Sequence, residues 1–432
     1  HELKMVVRGC ELEVAPPAMG DALLPMALIA AMSRGLTLEV ADQVSPKLLE
    51  NMVQFQLIIH MWYPYLEVVE VKAPVFDGEA GATLVSSGKR AQFFSGGVDS
   101  LHLAYEDAAS LDALVFVGGT DTLHWPAELR RETVERLSKT AARLDLPLID
   151  VESNFREWAT ACGRHSDDFL SARLAAISHL LGERFEQWVI APSILDRPVP
   201  FWSSALTDPR WSSGRVLVSH PVPARNRAEK IWDLAQEDGL LEDLRICMQG
   251  AEYNCGTCRK CMRTLLTLKM LGMADRAPVF AQTPETLEIL DQLSAAEGLA
   301  LRSECFHLRE NIDVGRAQDV EAGLITEMEE RLHGMQGRME WGQVEAMGEE
   351  AFLQSHWDHV PFEARRSCFR KLLALNPEWL VKELATDLPA QKEAVFAAMW
   401  KSERSWLRKT VGKASLKRLV GKLHLGRRKP NR

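Results

Sequence analysis

Between residues 90 and 275, short apolar runs alternate with longer amphipathic stretches. The apolar runs are Ala91–Phe94, Ala113–Val117, Leu146–Val151, Trp188–Ala191 and Arg215–Val218, each of strand length. The stretches Ser100–Ala109, Pro126–Leu144, Asp167–Leu181 and Ala228–Gln236 predict helices between and after them. Strand and helix repeated in this order predict an α/β domain on a doubly wound, parallel, five-stranded sheet. In such sheets the chemistry lies at the carboxyl ends of the strands. Three polar segments fall there: Ser95–Ser100, Gly118–Asp121, and Ser193 with the loop to Ser213.

The flanks have a different pattern. Residues 1–88 predict a small α+β N-terminal domain, with strand-like runs at Leu3–Val7, Leu36–Val40 and Leu66–Val71 and helices at Asp21–Ser33 and Lys47–His60. The glycine-containing stretch Phe76–Lys89 predicts a linker into the central domain, residues 89–275, which closes on a helix at Met262–Leu271. Residues 276–432 predict a mostly helical C-terminal region, with segments at Ala317–Met335, Phe362–Leu375 and Ala390–Ser402. Its tryptophans and leucines recur at helical spacing and read as core. No internal repeat is visible.

A chain of 432 residues with 46% hydrophobic and 26% charged residues has the composition of a globular protein of two or three domains. It contains no run of eighteen apolar residues, so no transmembrane helix is expected. The apolar stretch Ala22–Met32 follows acidic residues and lacks a cleavage signature, which argues against a signal peptide. Cys10, Cys162, Cys305 and Cys368 are scattered and the other four cysteines are clustered, a usage that fits a reducing, cytoplasmic compartment. Residues 401–432 hold twelve Lys/Arg against the single acid Glu403, so the other 400 residues carry −20 of the chain's net −9. Trp406, Leu407, Leu416, Val420 and Leu423 can line one side of a helix in this tail, which would take an anionic partner: RNA, an acidic protein surface or anionic lipid. The alternative is a solvated, partly disordered end. Association of the chain into an oligomer is left open.

The densest chemistry is Ser95-Gly96-Gly97-Val98-Asp99-Ser100, between a predicted strand and a predicted helix. Backbone N–H groups at such a turn, reinforced by a helix N-terminus near Val98, can cradle an anion. Two glycines let the backbone approach phosphate oxygens, Ser95 and Ser100 add hydroxyl donors, and Asp99 can hold magnesium or orient the loop. The segment is neither GxxxxGK[ST] nor GxGxxG. Arg210, Arg225, Arg227 and Lys230 are candidate phosphate cations, each with an alternative reading as a surface cation, favoured for Lys230. Asp121 and Asp208 are candidates for adenosine or magnesium contacts, with loop capping the alternative. His124, beside Trp125, is a candidate for proton transfer or base stacking, with an incidental loop histidine the alternative.

The second motif is Cys247-x7-Cys255-x2-Cys258-x2-Cys261. Four thiolates at this spacing can surround one tetrahedral ion, and zinc is the cation that fits best; a closed four-cysteine site is structural. Gly256 sits where a knuckle turn needs conformational freedom, and Arg259, Lys260 and Arg263 would offset the anionic centre. A redox CxxC pair is the alternative.

The SGGxDS loop at a strand end resembles that of the PP-loop ATP pyrophosphatase superfamily, whose members adenylate a carbonyl oxygen and release pyrophosphate. With the cysteine cluster about 150 residues downstream, residues from Ala91 to Gly272 resemble the cyano-deazaguanine synthases, which use ATP and ammonia to turn a carboxylate into an amide and then a nitrile. The resemblance implies a PP-loop fold. It also implies an ATP site at Ser95, Gly96, Gly97, Val98, Asp99, Ser100 and Asp121, with Ser95, Asp99, Ser100 and Arg227 acting in catalysis. Cys247, Cys255, Cys258 and Cys261 would be zinc ligands. Ser171–Leu181 is similar to the family's mid-domain helix, and Arg227-Ala228-Glu229 to its Lys-Ala-Glu step, with arginine replacing lysine. The first cysteine gap is one residue shorter than the family's. His165–Leu170 lacks its Val-Pro-Gly-Arg-Asn signature, and the loop Pro200–Ser213 is longer. A divergent relative is therefore expected, using ATP, Mg2+ and Zn2+ on a different or larger carbonyl-bearing acceptor: a modified base, a peptide or another small molecule. A PP-loop RNA sulfurtransferase and a non-catalytic nucleotide- and zinc-binding scaffold or sensor are the alternative functions.

Overall fold

The computed structural model describes residues 3–10, 19–76, 88–118, 126–162, 170–193, 203–247, 249 and 252–337. Asp121, His124, Trp125, the helices expected at Phe362–Leu375 and Ala390–Ser402, and the basic tail 401–432 lie outside them.

The described elements run β1 (Met5–Arg8), α1 (Met19–Met32), β2 (Leu38–Glu39), α2 (Pro46–Trp62), β3 (Val71–Lys72), β4 (Arg90–Phe93), α3 (Val98–Asp107), β5 (Ala113–Gly118), α4 (Ala127–Arg143), β6 (Leu148–Ser153), α5 (Phe155–Ala161), α6 (Leu170–Leu180), β7 (Gln187–Val189), β8 (Leu217–Ser219), α7 (Arg227–Gln236), α8 (Arg259–Met270), α9 (Thr286–Ser294), α10 (Gly298–Ala317) and α11 (Ala322–Gly337). Among the described residues the main sheet has six strands in the order β1-β6-β5-β4-β7-β8. Five of them are parallel, and β1 pairs antiparallel with β6, with Met5 opposite Ser153. The expectation of five strands is thus corrected to six. The four-residue edge strand β1 alternates half-buried and exposed positions, and its partner lies more than 140 residues away, a pairing that local periodicity does not specify.

Period-two alternation assigns the two sheet faces. Ala113 and Val115 of β5 face one hydrophobic core with Phe93, Trp188, Val218 and residues of α1, α2 and α6. Leu114 and Phe116 face a second core with Val98, Leu101, Leu137, Ile231 and Leu244. A third core joins α7 and α8 to α9–α11, so the helical C-terminal region packs on the side of the sheet that carries α7. Arg263 of α8 clamps it with two bonds to Glu304 of α10, at 2.6 and 2.8 Å.

Two further expectations are revised. Residues 66–70 form no strand, because side chains take their backbone groups: Gln56 Oε1 accepts from Val69 N (2.8 Å) and His60 Nδ1 donates to the Leu66 carbonyl (2.6 Å). The helix expected at Ala317–Met335 begins five residues later, as α11, because the chain turns after α10 ends at Ala317, and Asp319 between them has a φ of 54°.

Candidate functional site

In chain order the parallel strands run 3-2-1-4-5 across the sheet. From β4 the chain builds outward through β5 and β6, then returns to place β7 and β8 on the other side of β4. The order therefore reverses between β4 and β7, and the crevice above that reversal is where open α/β sheets bind ligands. The Ser95–Ser100 loop occupies the carboxyl end of β4 at this point.

The loop is held by its own serines. Ser95 N donates to Ser100 Oγ (3.2 Å), Ser100 Oγ donates to the Gly97 carbonyl (3.1 Å), and the two hydroxyls lie 3.1 Å apart. Gly96 has a φ of 74°, and a Cβ built there would lie 2.2 Å from Leu137 Cδ2, so the position requires glycine. The Gly96 carbonyl accepts from Arg245 N at 2.9 Å, which ties the loop to the segment leading into the cysteine cluster. The N-terminus of α3 has no side-chain cap, leaving first-turn N–H groups and the positive end of the helix dipole for an anion.

Asp99 does not stand free in the loop as a magnesium ligand would. Its Oδ2 accepts from Arg227 Nη1 and its Oδ1 from Lys230 Nζ, both at 2.8 Å. Lys230 also donates to the Pro192 carbonyl at the end of β7 (2.9 Å), and its side chain is only 5% exposed, so it is no surface cation. A full capping box at Asn226 and Glu229 starts α7 on that register. Two cations against one carboxylate leave a net +1 beside the loop, a charge suited to phosphate. Arg225 instead pairs with Asp233.

From the C-terminal side, His307 of α10 bonds Glu310 at 3.2 Å. Burial, with the Arg263 and Arg227 guanidiniums nearby, pushes its pKa down to about 3, so it stays neutral near pH 7. Nothing in the sequence marks it, since the contact depends on how α10 packs against α7.

Asp208 lies in a 3-10 turn, Asp208–Trp211, whose Trp211 is fully buried against Phe55 of α2 at 4.1 Å. Its carboxylate accepts from Ser203 Oγ (2.6 Å), Ser204 N (3.1 Å) and His220 Nδ1 (2.8 Å). His220, directly after β8, is absent from the sequence reading; the serine-rich loop gave no sign of which strand end it packs against.

The cysteines converge. Cys247, Cys255, Cys258 and Cys261 place their Sγ atoms within 4.8 Å of one another, with contacts of 3.5, 4.0 and 3.9 Å. A tetrahedral ion with metal–sulfur bonds of about 2.3 Å requires sulfur spacings of about 3.8 Å, so the four can hold a metal ion such as zinc. Asn254 Oδ1 accepts from Ile246 N and Cys247 N, and Cys258 N donates to Cys255 Sγ, which fixes the knuckle. The hydrogen bond from Cys261 draws the Cys258 thiol down to about 5, so that position favours thiolate. Arg263, expected to offset this centre, is committed to Glu304. Gly256 has a φ of 81°, and a Cβ there would lie 1.8 Å from the Gln282 carbonyl oxygen. Gly256→Ala is therefore expected to displace the 280–282 segment, lowering bound metal measured by mass spectrometry together with melting temperature; a metal-replete protein with unchanged melting would show that the turn tolerates the methyl group.

Comparison with protein-family models, curated proteins and solved structures found no match. Among the described residues, no helix is long and apolar enough to cross a membrane.

Proposed function

We propose that the chain is an ATP-dependent adenylating enzyme of the PP-loop type, a divergent relative of the cyano-deazaguanine synthases acting on a different or larger acceptor. The observation that carries this reading is the SGGVDS loop, set at the reversal of strand order with Arg227 and Lys230 beside it. A carboxylate or amide oxygen of the acceptor attacks the α-phosphorus of ATP, pyrophosphate leaves, and ammonia or an amine displaces AMP from the activated carbonyl. The loop N–H groups, Ser95 and Ser100 receive the charge that develops on the leaving pyrophosphate. Arg227 and Lys230 supply the cations opposite, and Asp99 positions both. Magnesium would neutralise phosphate charge, and Asp99 is the loop carboxylate that would hold it in exchange for one of its ion pairs. Zinc in the cysteine cluster would be structural, fixing the segment that bonds Gly96.

Sulfur transfer is the weaker reading. Burial raises the thiols of both Cys10 and Cys162, whereas a sulfur-carrying cysteine needs a lowered one.

The test is the nucleotide product formed from Mg·ATP with fractionated cell extract and ammonium. AMP plus pyrophosphate supports the proposal. ADP plus phosphate overturns it in favour of kinase-like or other ligase chemistry, and nucleotide binding without turnover overturns it in favour of a scaffold or sensor.

A further inference from the structure

Two strand positions from the loop, the sheet edge holds a second set of polar groups that the phosphate chemistry does not use. β4, β7 and β8 are consecutive neighbours, with Gln92 opposite Val189 and Val189 opposite Ser219. His220 therefore emerges from β8 on the same carboxyl edge as Ser95, two strand spacings away, roughly 10 Å. Pro192, at the end of the intervening β7, is bonded to Lys230 and so to Asp99.

We infer that His220 is the base that takes the proton from the attacking nitrogen nucleophile, and that Asp208 positions it. The inference rests on the adenylation reading for the identity of the nucleophile. Its structural basis is separate. Asp208 is fully buried, and its carboxylate receives Ser203 Oγ, Ser204 N and His220 Nδ1. The buried carboxylate accepts from Nδ1, so in the neutral tautomer Nε2 is the nitrogen that presents a lone pair. The His220 side chain is 9% exposed, and among the described residues Nε2 has no hydrogen-bond partner. A buried imidazole with one nitrogen committed and the other uncommitted is the arrangement of an oriented general base.

The turn carrying Asp208 is anchored more firmly than a surface loop requires. Asn51 of α2 donates to the Ser212 carbonyl (2.8 Å), Trp211 Nε1 donates to Ser171 Oγ of α6 (3.0 Å), and His179 Nε2 donates to the Trp211 carbonyl (2.8 Å). Helices α2 and α6 thereby act as a buttress for the segment that orients His220.

The proposed step balances as follows. The nitrogen of ammonia, or of a primary amine, bonds to the activated carbonyl carbon. The bond from that carbon to the AMP phosphate oxygen breaks, and AMP leaves with the electron pair. The surplus proton on nitrogen passes to His220 Nε2 and from there to water.

Two measurements on the full chain test this. In the first, acylation of histidines by diethyl pyrocarbonate is mapped by mass spectrometry with and without Mg·ATP. Acylation of His220, slowed at least fivefold by Mg·ATP, is expected. An unreactive His220, or one indifferent to nucleotide, would overturn the inference whether or not ATP is turned over. In the second, AMP release with the acceptor-containing extract fraction is compared for ammonium and for hydroxylamine, a weakly basic nucleophile uncharged at neutral pH whose adduct loses its surplus proton readily to water. His220→Gln is expected to lower the ammonium-dependent rate about 100-fold or more, the range of general-base catalysis, while the hydroxylamine-dependent rate falls far less. Asp208→Asn should shift the same ratio in the same direction, whereas a purely structural role would lower both rates together. Equal loss with both nucleophiles, or no loss, would overturn the assignment. Absence of AMP from the wild type with either nucleophile would overturn the adenylation reading and the nucleophile assigned here, leaving the acylation result to show whether His220 borders the nucleotide crevice.

Discussion

Cys258→Ser is expected to lose bound metal, melt at a lower temperature and bind nucleotide more weakly, although no cysteine lies in the loop. Metal binding to a preformed thiolate site adds its free energy to folding, because the unfolded chain offers no such site. A site filled a thousandfold above its dissociation constant contributes about 4.1 kcal/mol. At about 2–4 °C per kcal/mol for a domain of this size, the melting temperature should fall by roughly 8–16 °C. The effect reaches the loop through a short path: Arg245 N bonds the Gly96 carbonyl, and Cys247 lies two residues further on. Metal content, thermal melting and Mg·ATP affinity measured together check this. A metal-replete, stable variant would remove the cluster from structural duty. A brown, iron-containing wild type would replace zinc by an iron–sulfur centre.

That coupling shows what was legible in the sequence. The Ser95–Ser100 loop and the four cysteines are each contiguous motifs, so spacing alone exposed both, and the parallel strands followed from their apolar runs. Residues brought together from distant segments were not legible. Lys230 resembles any helix-surface lysine until α7 is placed against α3, where Asp99 and the Pro192 carbonyl enclose its ammonium. His220 has no partner in its own neighbourhood of the sequence; Asp208 reaches it because Trp211 anchors the turn in the core. β1 carries only an edge-strand pattern, and its register with β6 comes from the tertiary fold. Of the C-terminal helices, α11 matches an expected segment, whereas α10, which brings His307 towards Arg227, was not among the expected ones, and its approach depends on packing angles that periodicity does not encode.

The Asp99 cluster yields the sharpest contrast between two variants. Asp99→Asn removes the carboxylate that Arg227 and Lys230 share, leaving a buried ammonium and a guanidinium facing a neutral amide. Removing one partner of a fully buried pair costs about 3–5 kcal/mol. Asp99 is 18% exposed and asparagine keeps one acceptor oxygen, so a smaller loss, about 2–3 kcal/mol, is expected on the same grounds. Asp99→Asn should therefore both melt earlier and fail to form AMP, which by itself would not separate structure from chemistry. Lys230→Met separates them. It replaces the buried cation by an apolar chain of similar length and leaves Asp99 paired with Arg227, so no unpaired charge stays buried and the loss is smaller than for Asp99→Asn. If the cations hold phosphate, Lys230→Met should melt within a few degrees of the wild type while Mg·ATP binding, read by calorimetry, weakens at least tenfold. Wild-type affinity in that variant would make Lys230 a counter-ion for Asp99 and nothing more, and the phosphate contact would then fall to Arg227 and the loop amides alone.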